Sequence, residues 1–343
     1  MSNENLITPV AKPRGGSPTP RPPSSTIRGR LAYRLYFRPQ TWLEDRFDRF
    51  LGQRGDRAMR KAAAYLEPLP LPFFHSYAPP CRFLTGERFV HQTIFCARSF
   101  EWACSSHFDI EIFSDGTLRS EHLEMIRRTL PRVVVQDERL IAGRLEQHLP
   151  RARFPLLRAM RDRTPLMRKV VDLHAGLHGP SLSLDSDMLF FRPPLALMEW
   201  LAHPRQEYFM SQESDALVAD RQSLGKVLGA ALLPGVNSGI LAIDDDAIDW
   251  DDLERAAAAL NEDQRRHLWA EQTLIAYHLT RRDARPLPIA DYRLCNSRAD
   301  FTGELPVLRH YVHKAKAVYA AGEWRRWLNL SASLATAIVL MIS

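Results

Sequence analysis

The strongest constraint on this chain is a repeated change of hydrophobic period between Cys81 and Asp187. CRFLT (81–85) reads as a strand, and ERFVHQTIFCARSFEWACS after it reads as a helix. FDIEIFS (108–114) alternates as a second strand and ends in Asp115 and Gly116. LRSEHLEMIRRTL is a helix, RVVVQ a third strand, and a helical stretch over Leu166 to His174 leads into PSLSLDSD as a fourth. Strands separated by helical patterns imply an α/β fold, a mainly parallel sheet with helices on both faces. Such sheets take ligands beyond the carboxyl ends of their strands, where Asp115, Asp185 and Asp187 fall. No GxGxxG segment and no Walker lysine loop occurs, which removes the main support for dinucleotide and P-loop readings.

The flanks differ from this core. Residues 1–29 are rich in Pro, Ser, Gly and Arg, and we expect a disordered arm, too poor in apolar surface to offset its ordering entropy. Residues 30–70 form a basic helical prefix and a Pro-punctuated linker. Within Ala32 to Leu66, Trp42, Leu43, Phe47, Phe50 and Leu51 recur on one helical face, the pattern of a helix docking on a core. The main domain is expected over 71–330. Residues 331–343 are an apolar tail, shorter than the roughly 20 residues of a spanning helix.

Charge is uneven along the 343 residues. Residues 1–61 carry thirteen Lys and Arg against five Asp and Glu, an excess of +8 that leaves the rest of the +6 chain at −2. The basic character therefore belongs to the arm, which suits an anionic lipid surface or an acidic partner, and the body offers no nucleic-acid groove. The N-terminus lacks the apolar core of a signal peptide, so the expected location is cytoplasmic, with peripheral contact at the inner membrane face. Cys81, Cys96, Cys104 and Cys295 form no CxxC pair and read as reduced, buried thiols.

Asp185 and Asp187 stand at i and i+2 in LSLDSDMLFF. On an extended segment both point to one side, and their oxygens can share a hard cation, Mn²⁺ or Mg²⁺, that keeps positions open for phosphates. A surface turn with two solvated aspartates is the plain alternative. Three polar insertions follow: Asn237, Ser238 and Gly239 before the strand-like ILAI, Glu271 and Gln272 at a helix start, and His310, His313 and Lys316 in RHYVHKAK. Each alone has an ordinary reading, as a turn, a helix-dipole charge or a structural histidine.

Together and in this order they resemble the metal-dependent GT-A glycosyltransferases, in particular the family of glycogenin and the bacterial lipopolysaccharide galactosyltransferases, over residues 81 to about 327. The resemblance implies a Rossmann-like GT-A sheet and transfer of a sugar from a nucleotide-diphosphate donor, a UDP-sugar, with retention of configuration. It assigns the metal to Asp185, Asp187 and His310, and the diphosphate to Lys316. A donor contact falls on Arg168, seventeen positions before Asp185, or on Lys169 if the helix is rotated. Asn237, Ser238 and Gly239 line the sugar site in this reading, Glu271 and Gln272 lie beneath the sugar and support the transfer, and the place of base and ribose contacts is taken by Leu84, Thr85 and Gly86. Asp115 corresponds to an acidic residue that accepts the uracil imide hydrogen in wider GT-A enzymes. Two positions depart from the pattern: Glu271 stands where the family has Asp, and His313 where it has Gly, which makes His313 a second candidate ligand. The acceptor, whether carbohydrate, lipid-linked or protein, is open.

Two other classes compete. A haloacid-dehalogenase-type phosphatase also uses DxD after an apolar strand, and a non-catalytic carbohydrate-binding relative would keep the fold alone. Trp324 and Trp327 suit acceptor stacking or a docking patch. Asp244, Asp245 and Asp246 read as a solvated turn, and His75, His91, His107, His122, His174, His178 and His278 receive no role.

Overall fold

A computed structural model describes residues 38–74 and 78–332, with side chains from residue 50 onward. The arm (1–29) and the tail beyond 332 lie outside the described residues, as do the side chains of Trp42, Leu43 and Phe47. Helix α1 (Arg38–Ala63) leads to β1 (Cys81–Thr85), α2 (Val90–Cys104), β2 (Ile110–Ser114), α3 (Ser120–Thr129) and β3 (Val133–Gln136). Three helices follow, α4 (Glu138–His148), α5 (Pro155–Arg163) and the short α6 (Met167–Val171), before β4 (Pro180–Leu184) and β5 (Met188–Phe190). The second half comprises α7 (Leu195–Ala202), β6 (Tyr208–Ser211), α8 (Arg221–Leu228), β7 (Val236–Asp244), α9 (Trp250–Ala259), α10 (Glu262–Arg266) and α11 (Ala270–Arg281). Short elements close the chain: β8 (Arg285–Pro286), β9 (Tyr292–Cys295), β10 (Leu308–Tyr311), α12 (Ala315–Val318) and a π-helical turn, Tyr319–Glu323.

Seven strands form the main sheet in the order β3-β2-β1-β4-β7-β6-β8. The β1, β2, β3 and β4 neighbours run parallel, whereas β7 is antiparallel to both β4 and β6. The result is a mixed, mainly parallel α/β sheet. Both faces are covered: Ile240 and Ala242 of β7 enter one apolar cluster and Leu241 and Ile243 the other, as a period of two requires. A second sheet, β5-β10-β9, stands beyond the carboxyl end of β4. Its central strand delivers the residues after Arg309 to the ends of the main strands.

Among its described side chains, helix α1 docks through small residues. Phe50 is 58% exposed, and the contact is made through Gly52, Gly55, Met59 and Ala63. A Cβ on Gly55 would lie 2.1 Å from the Ala320 carbonyl oxygen, so the two backbones approach as closely as glycine permits. Arg60 extends the clasp by donating to the carbonyls of Glu87 (3.1 Å) and Arg88 (2.6 Å). Trp324 and Trp327, a stacking platform or docking patch by sequence, are buried edge-on against Phe95 in the same region. The four cysteines are free and buried. No helix among the described residues is long and apolar enough to cross a membrane.

Candidate functional site

Asp185 and Asp187 lie not within β4 but in the turn between β4 and β5. The Asp185 N–H donates to the Gly239 carbonyl (2.9 Å), and the Asp187 carbonyl accepts from the Tyr311 N–H (2.9 Å), so both sheets hold the turn. Beneath it runs a chain of hydroxyls, Thr85 to Thr93 at 2.7 Å and Thr93 to Ser186 at 2.8 Å. This turns the Thr85 side chain inward at the cavity wall.

The repulsion between the two carboxylates is relieved by three basic groups. Lys169 Nζ is 2.7 Å from Asp185 Oδ1, Lys316 Nζ is 2.8 Å from Asp187 Oδ2, and His310 Nε2 is 3.2 Å from Asp187 Oδ1 and 3.6 Å from Asp185 Oδ2. Burial alone would raise the Asp187 carboxyl, yet His310 and Lys316 hold it well below the usual carboxylate range. Burial likewise opposes charge on Lys169, and Asp185 and Glu271 outweigh it, keeping the ammonium above its ordinary value. Glu271, 3.8 Å from Lys169, shows the opposite balance: burial dominates and raises its carboxyl.

The ligand atoms of Asp185, Asp187 and His310 all lie within 4.8 Å of one another, and His313 is not among them. Two carboxylates and one imidazole form a hard, oxygen-rich donor set that suits Mn²⁺ or Mg²⁺. His310 Nδ1 is buried without a hydrogen-bond partner among the described residues, which leaves Nε2 facing the carboxylates. His310 is seated by Gly239: a Cβ there would lie 2.7 Å from His310 Cε1 and 2.6 Å from Met188 Cε. Asn237, Ser238 and Gly239 thus lie inside β7 rather than in a turn before it, where the β6 pairing jumps from Phe209–Leu241 to Met210–Asn237. This irregularity re-aims side chains at the strand end. Asn237 accepts the Gly239 N–H and donates to Gln212 Oε1, both at 2.9 Å, and Ser238 Oγ is 3.1 Å from Lys169 Nζ.

These groups open onto a cavity of about 1010 Å³ at the carboxyl ends of β1 and β4. Its walls include Asp115, Arg168, Asn237, Ser238, Glu271 and Gln272, besides the cluster itself. Adjacent helical residues differ by about 100° in direction, so Arg168 and Lys169 part company. Arg168 makes a two-pronged pair with Glu138 (2.9 and 3.1 Å), and Lys169 alone faces the carboxylates. Asp115 accepts from the N–H and hydroxyl of Thr117 (2.9 and 2.6 Å) and lies over Gly86, where a Cβ would meet it at 2.0 Å. Gln272 accepts from the Ser238 N–H (3.5 Å) and donates to the Ala216 carbonyl (3.0 Å). His313 sits at φ +47°, the left-handed region that glycine adopts without strain. Sequence reasoning missed Gln212 and Ser186, for neither carries a spacing signal: Gln212 lies one residue past a four-residue strand, and Ser186 acts through a contact 93 positions away.

One expectation fails at the far ends of the same strands: Asp245 is not solvated but buried between Arg82 Nη1 (2.5 Å) and His174 Nδ1 (2.7 Å). Two of the histidines left without a role pair with carboxylates elsewhere, His91 with Asp56 (2.7 Å) and His107 with Glu101 (2.9 Å).

No protein-family model matches the chain, and no curated protein sequence does. Among solved structures, the chain is similar at TM-score 0.49 and 11% identity to the WbbM bifunctional glycosyltransferase, over 76% of this chain and 52% of that one. It thus spans about half of that protein. It is similar to the galactosyltransferase LgtC, solved with donor and acceptor sugar analogues (TM-score 0.45, 12% identity, 74% of this chain and 95% of that one). Mouse xyloside xylosyltransferase 1 aligns at TM-score 0.45 and 14% identity, covering 68% and 97% respectively.

Proposed function

We propose that the chain is a glycosyltransferase that moves a hexose from a nucleotide-diphosphate donor, a UDP-sugar, to an acceptor hydroxyl with retention of configuration. One observation carries the reading: Asp185, Asp187 and His310 converge within 4.8 Å, with Lys316 beside them, on a cavity large enough for a nucleotide sugar. In this reading Asp185, Asp187 and His310 hold Mn²⁺ or Mg²⁺. A divalent ion bound there supplies positive charge to the diphosphate oxygens as the leaving group forms.

The chain's own groups do the rest. Lys316, half exposed, swings from Asp187 to donate to a diphosphate oxygen as a point charge. Asn237, Ser238 and Gly239 shape the sugar pocket, with Arg168 and Lys169 at its helical wall. Thr85 and Asp115 receive the nucleoside, the Asp115 carboxylate accepting the imide N–H. The acceptor oxygen bonds to the anomeric carbon on the face from which the phosphate oxygen departs. The electron pair of the broken bond leaves with the diphosphate, which also takes the hydroxyl proton. Glu271 and Gln272 stabilise the positive charge on the sugar, and orientation supplies much of the remainder. We place the chain in the cytoplasm, its basic N-terminal arm meeting the inner membrane face.

Calorimetry of UDP, GDP and dTDP with and without Mn²⁺ tests the donor class. UDP should bind tightly only with the metal, and Asp187→Ala should weaken that binding by about 10–100-fold. A metal-independent response, or none, would reject the assignment. Glu271→Gln and Gln272→Ala should each slow donor turnover; if neither does, those two roles are wrong.

A further inference from the structure

The cavity wall has two stretches of different character. The metal-ligating groups and Lys316 come from the β4–β5 turn, β10 and the segment after it, and Lys169 reaches them from α6. A separate lip comes from the two short connections that open α6 and α11, the helices carrying Lys169 and Glu271. Pro165 and Leu166 form one half of this lip, Leu268 and Trp269 the other, and all four line the cavity. Arg163 and Glu262 join the two supporting segments behind it at 3.1 Å.

Leu166 is 39% exposed and Leu268 55% exposed. A single exposed leucine needs no explanation. Two of them, with a proline and a tryptophan, at the rim of one polar cavity are the arrangement that lines a ligand pocket and supplies its apolar contact. The diphosphate of a donor is drawn to the cationic side and gains nothing from these side chains. A cavity of about 1010 Å³ stands at the top of the range that encloses one ligand, so there is room for a second.

Resting on the glycosyltransferase reading, we infer that this lip is the acceptor subsite, and that the acceptor is amphipathic: a sugar or alcohol hydroxyl joined to an aliphatic chain. The hydroxyl reaches inward beside Glu271, Trp269 covers the apolar face of the acceptor head, and the hydrocarbon lies along Leu166 and Leu268. Aliphatic side chains at the rim favour an alkyl group over a peptide, whose backbone would need hydrogen-bond partners that leucine and proline side chains do not offer.

The test is calorimetry of methyl, butyl and octyl β-glucoside below micelle-forming concentration, on the wild-type chain with UDP and Mn²⁺ present. Affinity should rise along the series, to about tenfold or more between methyl and octyl, because each buried methylene adds to binding. Leu268→Ser and Leu166→Ser should each remove at least half of that gain on a logarithmic scale. Both residues are at the surface, so the thermal midpoint serves as the folding control. Equal affinity along the series, absence of octyl glucoside binding, or a gain that survives both substitutions would overturn the inference. Failure of UDP to bind with Mn²⁺ in the same cell would instead reject the transferase reading, while the chain-length series would still report on the lip.

Discussion

Two clusters of nearly the same composition sit at opposite ends of the same strands. At the carboxyl end of β4, Asp185 and Asp187 meet His310, Lys169 and Lys316. At the amino ends, Asp245 and Glu111 meet Arg82, His174 and the Ser181 hydroxyl. Each has two carboxylates, a histidine and at least one fixed cation. The second cluster is closed: the Asp245 side chain is fully buried, the Arg82 side chain is 3% exposed, and Arg82 spends its donors on Asp245, Glu111 and the Leu173 carbonyl. The first opens on the large cavity, with Lys316 half exposed. Residue type therefore does not make a reactive site. What differs is whether the groups face a cavity that water and substrate can reach.

The largest effect that would break this comparison is on stability. Asp245→Ala leaves Arg82 and His174 buried beside a void, and we expect a loss of about 3–5 kcal/mol in chemical denaturation. UDP affinity with Mn²⁺ should stay within about twofold, since the clusters share no partner. A change in nucleotide binding comparable to that of Asp187→Ala would erase the distinction.

A smaller effect comes from pH. His278 is buried and held down to about 4, against an ordinary value of 6.5. As pH falls below 6.5 the unfolded chain takes up the proton while the folded one does not, so stability declines until about pH 4 and levels below it. The decline should reach about 3 kcal/mol at most. Urea midpoints between pH 7 and pH 4 measure it, and His278→Gln should flatten the slope; an unchanged slope would refute the assignment.

The smallest change is at His313, whose positive φ strains a branched-ring residue. His313→Gly should raise the unfolding free energy by about 1 kcal/mol. A loss of stability would show that the imidazole makes a contact worth more than the strain.

Legibility in the sequence followed physical length scales. Strands β1 to β4 announced themselves because short runs of four or five residues with apolar side chains at alternate or successive positions, bounded by helical patterns, have few other solutions. Helices α4 and α5 were not assigned, since the charged residues scattered along them obscure their buried stripes, Ile141 and Leu145 in one and Leu157 and Met160 in the other. The glycine contacts of α1 were not read for the converse reason: glycine and alanine carry no hydrophobic signal, yet close backbone approach demands them. In the site, the aspartate pair and the residues from His310 to Lys316 were visible as motifs. The choice between Arg168 and Lys169 was not, because it turns on the rotation of one short helix.

The clasp of α1 has a practical edge. It grips the loop after β1 through Arg60, the segment bearing Lys316 through Gly52 and the π-helical turn that follows through Gly55. A shortened chain begun at residue 71 would keep every residue that lines the cavity and still lose the helix packed on the segments beside it. The natural place to cut this protein is therefore not where its linker lies.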